Sequence, residues 1–87
     1  MSNSETLPEL LYPGLKVVFV GINPGTYSTS VGHYYARPSN PFWTAFTESL
    51  LSQEARRRLG RNTLTFRDDE LLKEYGFGFT DIVKRST

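Results

Sequence analysis

The chain has 87 residues, enough for at most one small domain, and such a domain buries only about 60–65% of its unfolded surface. The absence of cysteine excludes disulfides and thiolate metal sites, and a single histidine cannot form a histidine-based metal site. Ten basic and nine acidic side chains give a net charge of +1, which favours no class of charged partner. With no apolar run near the ~20 residues of a membrane span and no signal pattern, we expect a soluble intracellular protein, in the cytoplasm or nucleoid or a eukaryotic nucleus.

The first predicted element is a strand over residues 15–22, which follows a segment expected to be disordered over residues 1–10. Apolar, often β-branched residues occupy nearly every position of this strand, a pattern typical of a strand covered on both faces. The strand runs directly into a turn that reads GINPG over residues 21–25. A turn of this kind at the carboxyl end of a parallel strand is where α/β proteins form ligand sites.

Residues 26–39 show neither helical nor strand periodicity and predict a long loop, which is usually functional or disordered. Asn40 is a good N-cap and Pro41 suits the first helical position, so a helix is predicted over residues 41–52. Its expected inward side chains recur at helical spacing: Phe42, Trp43, Phe46, Leu50 and Leu51.

A second helix is predicted over residues 53–59, stopped by Gly60, followed by an extended connector over residues 62–67. Asp68 can cap a third helix that ends at Gly76, and residues 78–83 resemble a second strand. This order predicts one βαβ crossover with parallel strands. A sheet of two strands leaves an apolar edge exposed, so we expect the chain to be the first part of a larger α/β domain.

Three segments are specific enough to indicate a family. They read GINPG at residues 21–25, GHYYARPSNPFW at residues 32–43 and YGFGFTDIVKRST at residues 75–87. In this order and spacing they closely resemble the mismatch-specific uracil-DNA and thymine-DNA glycosylases of the uracil-DNA glycosylase superfamily. The resemblance extends over almost the whole chain.

The resemblance implies an α/β fold, part of a three-layer αβα domain of the uracil-DNA glycosylase type, without a cofactor or metal. It implies that Asn23 positions the attacking water and that Tyr35 stacks on the extruded base. The backbone around Gly21, Ile22 and Tyr35 is expected to bond the pyrimidine edge, and Asn40 to organise the pocket. The family's later strands and its Pro-Ser-Gly-type loop have no counterpart before Thr87, so the sequence is expected to be truncated.

Further candidates have simpler alternatives. Asp81 is a candidate base or cation-stabilising group, and Gly25, Ser28 and His33 are candidate DNA contacts. Asn23 could instead be an ordinary turn residue and Tyr35 an ordinary packed aromatic, while Asn40 could serve only as a helix cap. The arginine run at residues 56–58 favours a solvated helix face over phosphate contact.

The leading hypothesis is a monomeric, monofunctional DNA repair glycosylase that excises uracil or thymine opposite guanine in double-stranded DNA. Such an enzyme must flip the base out of the duplex before it can reach the glycosidic bond. The alternatives are an inactive glycosylase fragment and a small nucleotide- or phosphate-binding module. The chain lacks the glycine-rich phosphate-binding fingerprints, which counts against the module.

Overall fold

The computed structural model describes residues 6–83, which form a small α/β structure around a two-stranded parallel sheet. Between the strands lie three short α-helices and three 3-10 segments. The elements are β1 (Val17–Gly21), α1 (Thr26–Val31), α2 (Phe42–Glu48), the 3-10 segment Leu50–Ser52, α3 (Gln53–Leu59), the 3-10 segments Phe66–Asp68 and Leu71–Tyr75, and β2 (Phe77–Asp81). No helix of the described residues is long and apolar enough to cross a membrane.

Both predicted strands are present, although shorter than predicted, and their parallel pairing is confirmed. The register runs from Val17 opposite Phe77 to Gly21 opposite Asp81. On the outer edge of β2, Leu10 forms an antiparallel bridge with Phe79 through hydrogen bonds of 2.9 and 3.0 Å. The disorder predicted for residues 1–10 is therefore wrong over residues 6–10, because Leu10 is paired and buried; residues 1–5 lie outside the described residues.

The core lies on one face of the sheet and is built from aromatic rings. Phe79 is fully buried there, in contact with Phe19 at 5.5 Å and Trp43 at 5.7 Å between ring centroids. The opposite face is open, since Val18 is 40% and Val20 is 56% exposed. The prediction that β1 is covered on both faces is therefore wrong, because within residues 6–83 these two valines stay partly exposed to solvent.

The segment predicted as an aperiodic loop begins with α1. This helix of six residues follows Gly25 and ends at Gly32, which adopts the left-handed conformation with φ of 81°. The hydroxyls of Thr29 and Ser30 donate to backbone carbonyls one turn earlier, at 3.0 and 2.8 Å. The loop prediction fails over these residues because a helix of six residues is too short to show an apolar period in the sequence.

The helix predicted over residues 41–52 is interrupted at Ser49, whose backbone is extended. The Ser49 hydroxyl donates to the Phe46 carbonyl at 2.7 Å and so competes with continuation of the helix. As a result Leu50 and Leu51 turn outward and are 85% and 52% exposed, contrary to the prediction that they face the core. The second predicted helix, α3, is confirmed and ends at a left-handed Gly60.

The predicted role of Asp68 as a helix N-cap is wrong. Thr65 is the N-cap of Phe66–Asp68, and Asp68 is the third residue of its capping box. The Asp68 carboxylate also accepts from Arg61 Nη2 at 2.7 Å, so Asp68 stabilises this segment by side-chain hydrogen bonds. The predicted stop at Gly76 is confirmed, with φ of 91° at the end of Leu71–Tyr75.

Because only one face of the sheet is packed, substitution by alanine should cost much more stability on that face than on the other. We expect Phe79→Ala to lower the free energy of unfolding by about 3–5 kcal/mol, because it removes a buried ring and leaves a cavity. Val20→Ala, on the open face, is the control and is expected to change it by less than about 1 kcal/mol. Urea unfolding measures both, and equal losses would contradict a core confined to one face.

Candidate functional site

A cleft of about 150 Å³ lies where both strands end. The turn after β1 contributes Asn23, the segment after α1 contributes Tyr35, and β2 contributes Asp81. Further lining residues are Gly25, Tyr27, Ser28, Arg37 and Asn40. The structure thus brings together residues that lie far apart in the sequence, at the edge of a parallel sheet where α/β proteins bind ligands.

At Gly21 the end of β1 lies close to the side chains of Asp81 and Tyr35. A β-carbon at this position would lie 2.4 Å from the Asp81 carboxylate and 3.3 Å from the Tyr35 hydroxyl. A side chain at position 21 would therefore push away one or both of these groups. The glycine allows the end of β1, the carboxylate and the phenol to meet at one point.

Tyr35 has an unusual backbone. Its φ is 55°, a left-handed value that costs a residue with a side chain about 1–2 kcal/mol. Its ring is half-buried and packs on Phe42 with 4.3 Å between centroids. Burial and the nearby Asp81 carboxylate raise the pKa of Tyr35 above its ordinary 10.0. The phenol therefore stays neutral and can donate a hydrogen bond across the physiological range.

The neighbouring Tyr34 belongs to the core. It is 2% exposed, its hydroxyl donates to the Pro8 carbonyl at 2.9 Å, and its own carbonyl accepts from Trp43 Nε1 at 2.9 Å. Burial, followed by the negative charge of Asp81, raises the pKa of Tyr34 far above 10.0. Of the two adjacent tyrosines, the first anchors the loop and the second faces the cleft.

The two asparagines of the cleft are placed differently. Asn23 is half-buried in the turn that follows β1. Asn40 is exposed at the rim, and its Oδ1 accepts from the Phe42 backbone N–H at 2.8 Å. The predicted N-cap role of Asn40 is wrong by one position, because α2 begins at Phe42 and its N-cap is Pro41, so the Asn40 contact precedes the cap. The predicted part of Asn40 in organising the pocket stays a prediction.

Some predicted site residues lie away from the cleft or face inward. Ile22 is 75% exposed, its carbonyl accepts from the Val83 N–H at 2.8 Å, and it is not among the lining residues of the cleft. His33 lies outside the lining, with Nδ1 at 3.0 Å from Asp69 Oδ1. Ser28 is 7% exposed and its hydroxyl accepts from the Ala36 N–H, which favours an internal role over the predicted DNA contact.

Sequence reasoning missed Arg37 and Tyr27 as parts of the site. Both line the cleft and are exposed, which places a cation and an aromatic ring at its mouth. The signal for Arg37 was its position between Tyr35 and Asn40, inside the segment that carried the family resemblance. The arginines of α3 are engaged elsewhere: Arg57 and Arg58 both pair with Glu54, as a solvated helix face predicts.

A larger hollow of about 580 Å³ lies at the other end of the strands. Lys16, Leu51, Glu54 and Tyr75 are among its lining residues. None of the predicted site residues borders this hollow. The smaller cleft is therefore the candidate site, since the backbone turn, the amide, the phenol and the carboxylate converge there.

The fold and the cleft together define an α/β protein with a candidate ligand site at the carboxyl ends of a parallel sheet. The family model of the uracil DNA glycosylase superfamily matches residues 8–87. The chain belongs to this superfamily. The two-stranded sheet and its helices are consistent with part of a uracil-DNA-glycosylase-like fold, and membership indicates DNA as the partner and DNA glycosylase chemistry, a hydrolase activity of DNA repair.

The raised pKa values of Tyr34 and Tyr35 predict how alkali acts on the fold. In the unfolded chain both phenols ionise near pH 10, whereas the folded chain keeps them neutral to higher pH. The stability they contribute is therefore complete below about pH 10 and is lost as the pH rises through the folded-state pKa values. Tyrosinate absorbance should show a phase well above pH 10 that the Tyr34→Phe/Tyr35→Phe variant lacks. A single phase near pH 10 in both proteins would contradict this burial.

Proposed function

We propose that this protein is a monofunctional DNA glycosylase of the mismatch-specific type, which removes uracil or thymine paired with guanine. The observation that carries the proposal is the meeting of Asn23, Tyr35 and Asp81 at one cleft beside Gly21. The proposed enzyme acts as a monomer on double-stranded DNA inside the cell. The three matched segments of the sequence, GINPG, GHYYARPSNPFW and YGFGFTDIVKRST, support the subfamily.

Binding of the base requires it to leave the duplex, which costs a few kcal/mol and least for a mismatched pair. An aromatic face offsets part of this, because base–aromatic stacking contributes about 1–3 kcal/mol. Tyr35 lines the cleft and is supported from behind by Phe42, so it supplies a fixed surface for such stacking. This step selects a mismatched pyrimidine over a well-paired one.

Hydrolysis breaks the bond from C1′ of the sugar to N1 of the pyrimidine, and the base leaves with the bonding electrons. Asn23 holds a water close to C1′, where the water oxygen forms the new bond, and the effect is one of proximity because an amide is not a base. Asp81, 4% exposed at the end of β2, takes the water proton or stabilises the positive charge on the sugar, and in either case this proton finally neutralises the departing base anion. Backbone groups of the turn at residues 21–25 face the charge that develops on the base.

A second candidate keeps the fold without the activity, as an inactive glycosylase fragment. The exposed face of Val18 and Val20 favours it, because parallel sheets are ordinarily covered on both sides. The third candidate, a nucleotide- or phosphate-binding module, has no comparable support. Saturable binding of free ATP or NAD would favour it over both others.

Uracil release from a duplex with one G·U pair tests the proposal directly. We expect a strand break after alkali treatment, and we expect Asn23→Ala to slow the reaction about 100-fold because the water is no longer held. Asn62→Ala is the matched control, since Asn62 is exposed outside the cleft. A G·T duplex and an A·U duplex measure the mismatch preference.

Three outcomes separate the candidates. Excision that depends on Asn23 supports the glycosylase, and excision that survives Asn23→Ala contradicts the assigned role of this residue. DNA binding without excision identifies the inactive fragment.

Arg37 at the mouth of the cleft is expected to contact a DNA phosphate. Arg37→Gln should weaken DNA binding and lower the slope of log affinity against log salt by about 1, the effect of one lost phosphate contact. Arg57→Gln is the control, because this guanidinium pairs with Glu54 on α3. Fluorescence anisotropy over a series of salt concentrations measures both, and equal slopes in wild type and Arg37→Gln would refute the contact.

A further inference from the structure

Tyr35 is the one non-glycine residue of residues 6–83 with a positive φ. An aromatic residue has no intrinsic preference for this conformation, so the surrounding structure must impose it. Three successive peptide groups around Tyr35 are held by side chains from three separate parts of the chain. These contacts identify which residues impose the conformation.

Asp69 holds the first of these peptide groups. Its carboxylate is 3% exposed, and Oδ2 accepts the Tyr34 N–H at 2.9 Å. Oδ1 accepts the Glu70 N–H at 2.7 Å and lies 3.0 Å from His33 Nδ1. Because backbone donors approach both oxygens, an amide at this position would turn its NH₂ group toward one of them. The site therefore requires a carboxylate.

Trp43 and Ser28 hold the two peptide groups that flank Tyr35. Trp43 Nε1 donates to the Tyr34 carbonyl at 2.9 Å, which fixes the peptide before Tyr35. Ser28 Oγ accepts the Ala36 N–H at 3.1 Å, which fixes the peptide after it. The orientations of these two peptide groups set φ and ψ of Tyr35. Trp43 is also a core residue, so Ser28 and Asp69 are the anchors whose role can be separated from general packing.

We propose that Ser28 and Asp69 are positioning residues for Tyr35. Ser28 fixes the peptide group after Tyr35, and Asp69 fixes the preceding segment at Tyr34, so that the left-handed conformation places the Tyr35 ring in a wall of the cleft. Asp69 lies outside the lining of the cleft, and Ser28, although in the lining, is 7% exposed with its hydroxyl bonded to the Ala36 N–H. For Ser28, this role replaces the DNA contact predicted from the sequence. The consequence for excision rests on the proposed function, whereas the consequence for the position of the ring does not.

The ring position is tested by NMR on the full chain with labelled Tyr and Phe side chains. In Asp69→Asn and Ser28→Ala we expect the nuclear Overhauser contacts between Tyr35 and Phe42 to weaken, while those between Phe19 and Phe77 in the sheet persist. Glu70→Gln and Ser30→Ala are the matched controls, because both side chains are exposed neighbours of the altered residues. The controls should keep all of these contacts.

Excision is measured on the same variants under single-turnover conditions. We expect the rate at saturating enzyme to fall about tenfold to a hundredfold in Asp69→Asn and Ser28→Ala, as misplacement of a positioned group causes. The dissociation constant for a fully paired duplex, which presents no flipped base to Tyr35, should stay unchanged. A merely structural role would lower binding and rate together.

Unchanged Tyr35 contacts in both variants would overturn the proposal whatever the activity. If Asp69→Asn unfolds, Ser28→Ala decides. If the wild-type chain does not excise uracil, the proposed function fails and the NMR result alone decides the positioning role. A further arm compares Tyr35→Gly with Tyr35→Ala: glycine should unfold at higher denaturant because it adopts the left-handed conformation freely, and equal stability would overturn the proposal.

Discussion

The site depends on the register between β1 and β2. Parallel pairing places Gly21 directly opposite Asp81, so the turn at residues 21–25 and the end of β2 emerge side by side. Since Gly21 has no side chain, the Asp81 carboxylate and the Tyr35 hydroxyl can occupy the space beside it. A shift of one residue in this pairing would place a side chain of β1 there and separate the amide of Asn23 from the carboxylate.

Aromatic side chains connect the sheet to the segment that contains Tyr34 and Tyr35. Phe79, opposite Phe19 in the sheet, contacts the rings of Tyr34 and Trp43, and Phe42 lies beneath Tyr35. Core and site are therefore one continuous packed unit. The rings that stabilise the fold also hold the Tyr35 ring in place. The polar side chains of Ser28 and Asp69 then fix the backbone orientation of the segment around Tyr35.

Local features of the sequence predicted those parts of the fold that local physics determines. The apolar strand before Gly21, the helix stopped at Gly60 and the stop at Gly76 all depend on neighbouring residues, and all are present. The left-handed Tyr35 was not predictable, because its anchors are not neighbours: Tyr34 and Asp69, which bonds the Tyr34 N–H, are 35 positions apart. The failures at residues 26–31 and at Ser49 have different causes: α1 is too short to show an apolar period, whereas the Ser49 hydroxyl bonds the Phe46 carbonyl and competes with continuation of the helix.

The central claim is that the cleft at the carboxyl ends of the strands receives a single pyrimidine. Titration of the labelled chain with free uracil, followed by NMR, tests this most directly because it requires neither DNA nor catalysis. The amides of residues 21–25, Tyr35 and Asp81 should shift in a saturable manner, while those around Lys16 and Tyr75 stay unchanged. Shifts confined to the hollow at the amino ends of the strands, or no saturable shift at the cleft, would contradict the account.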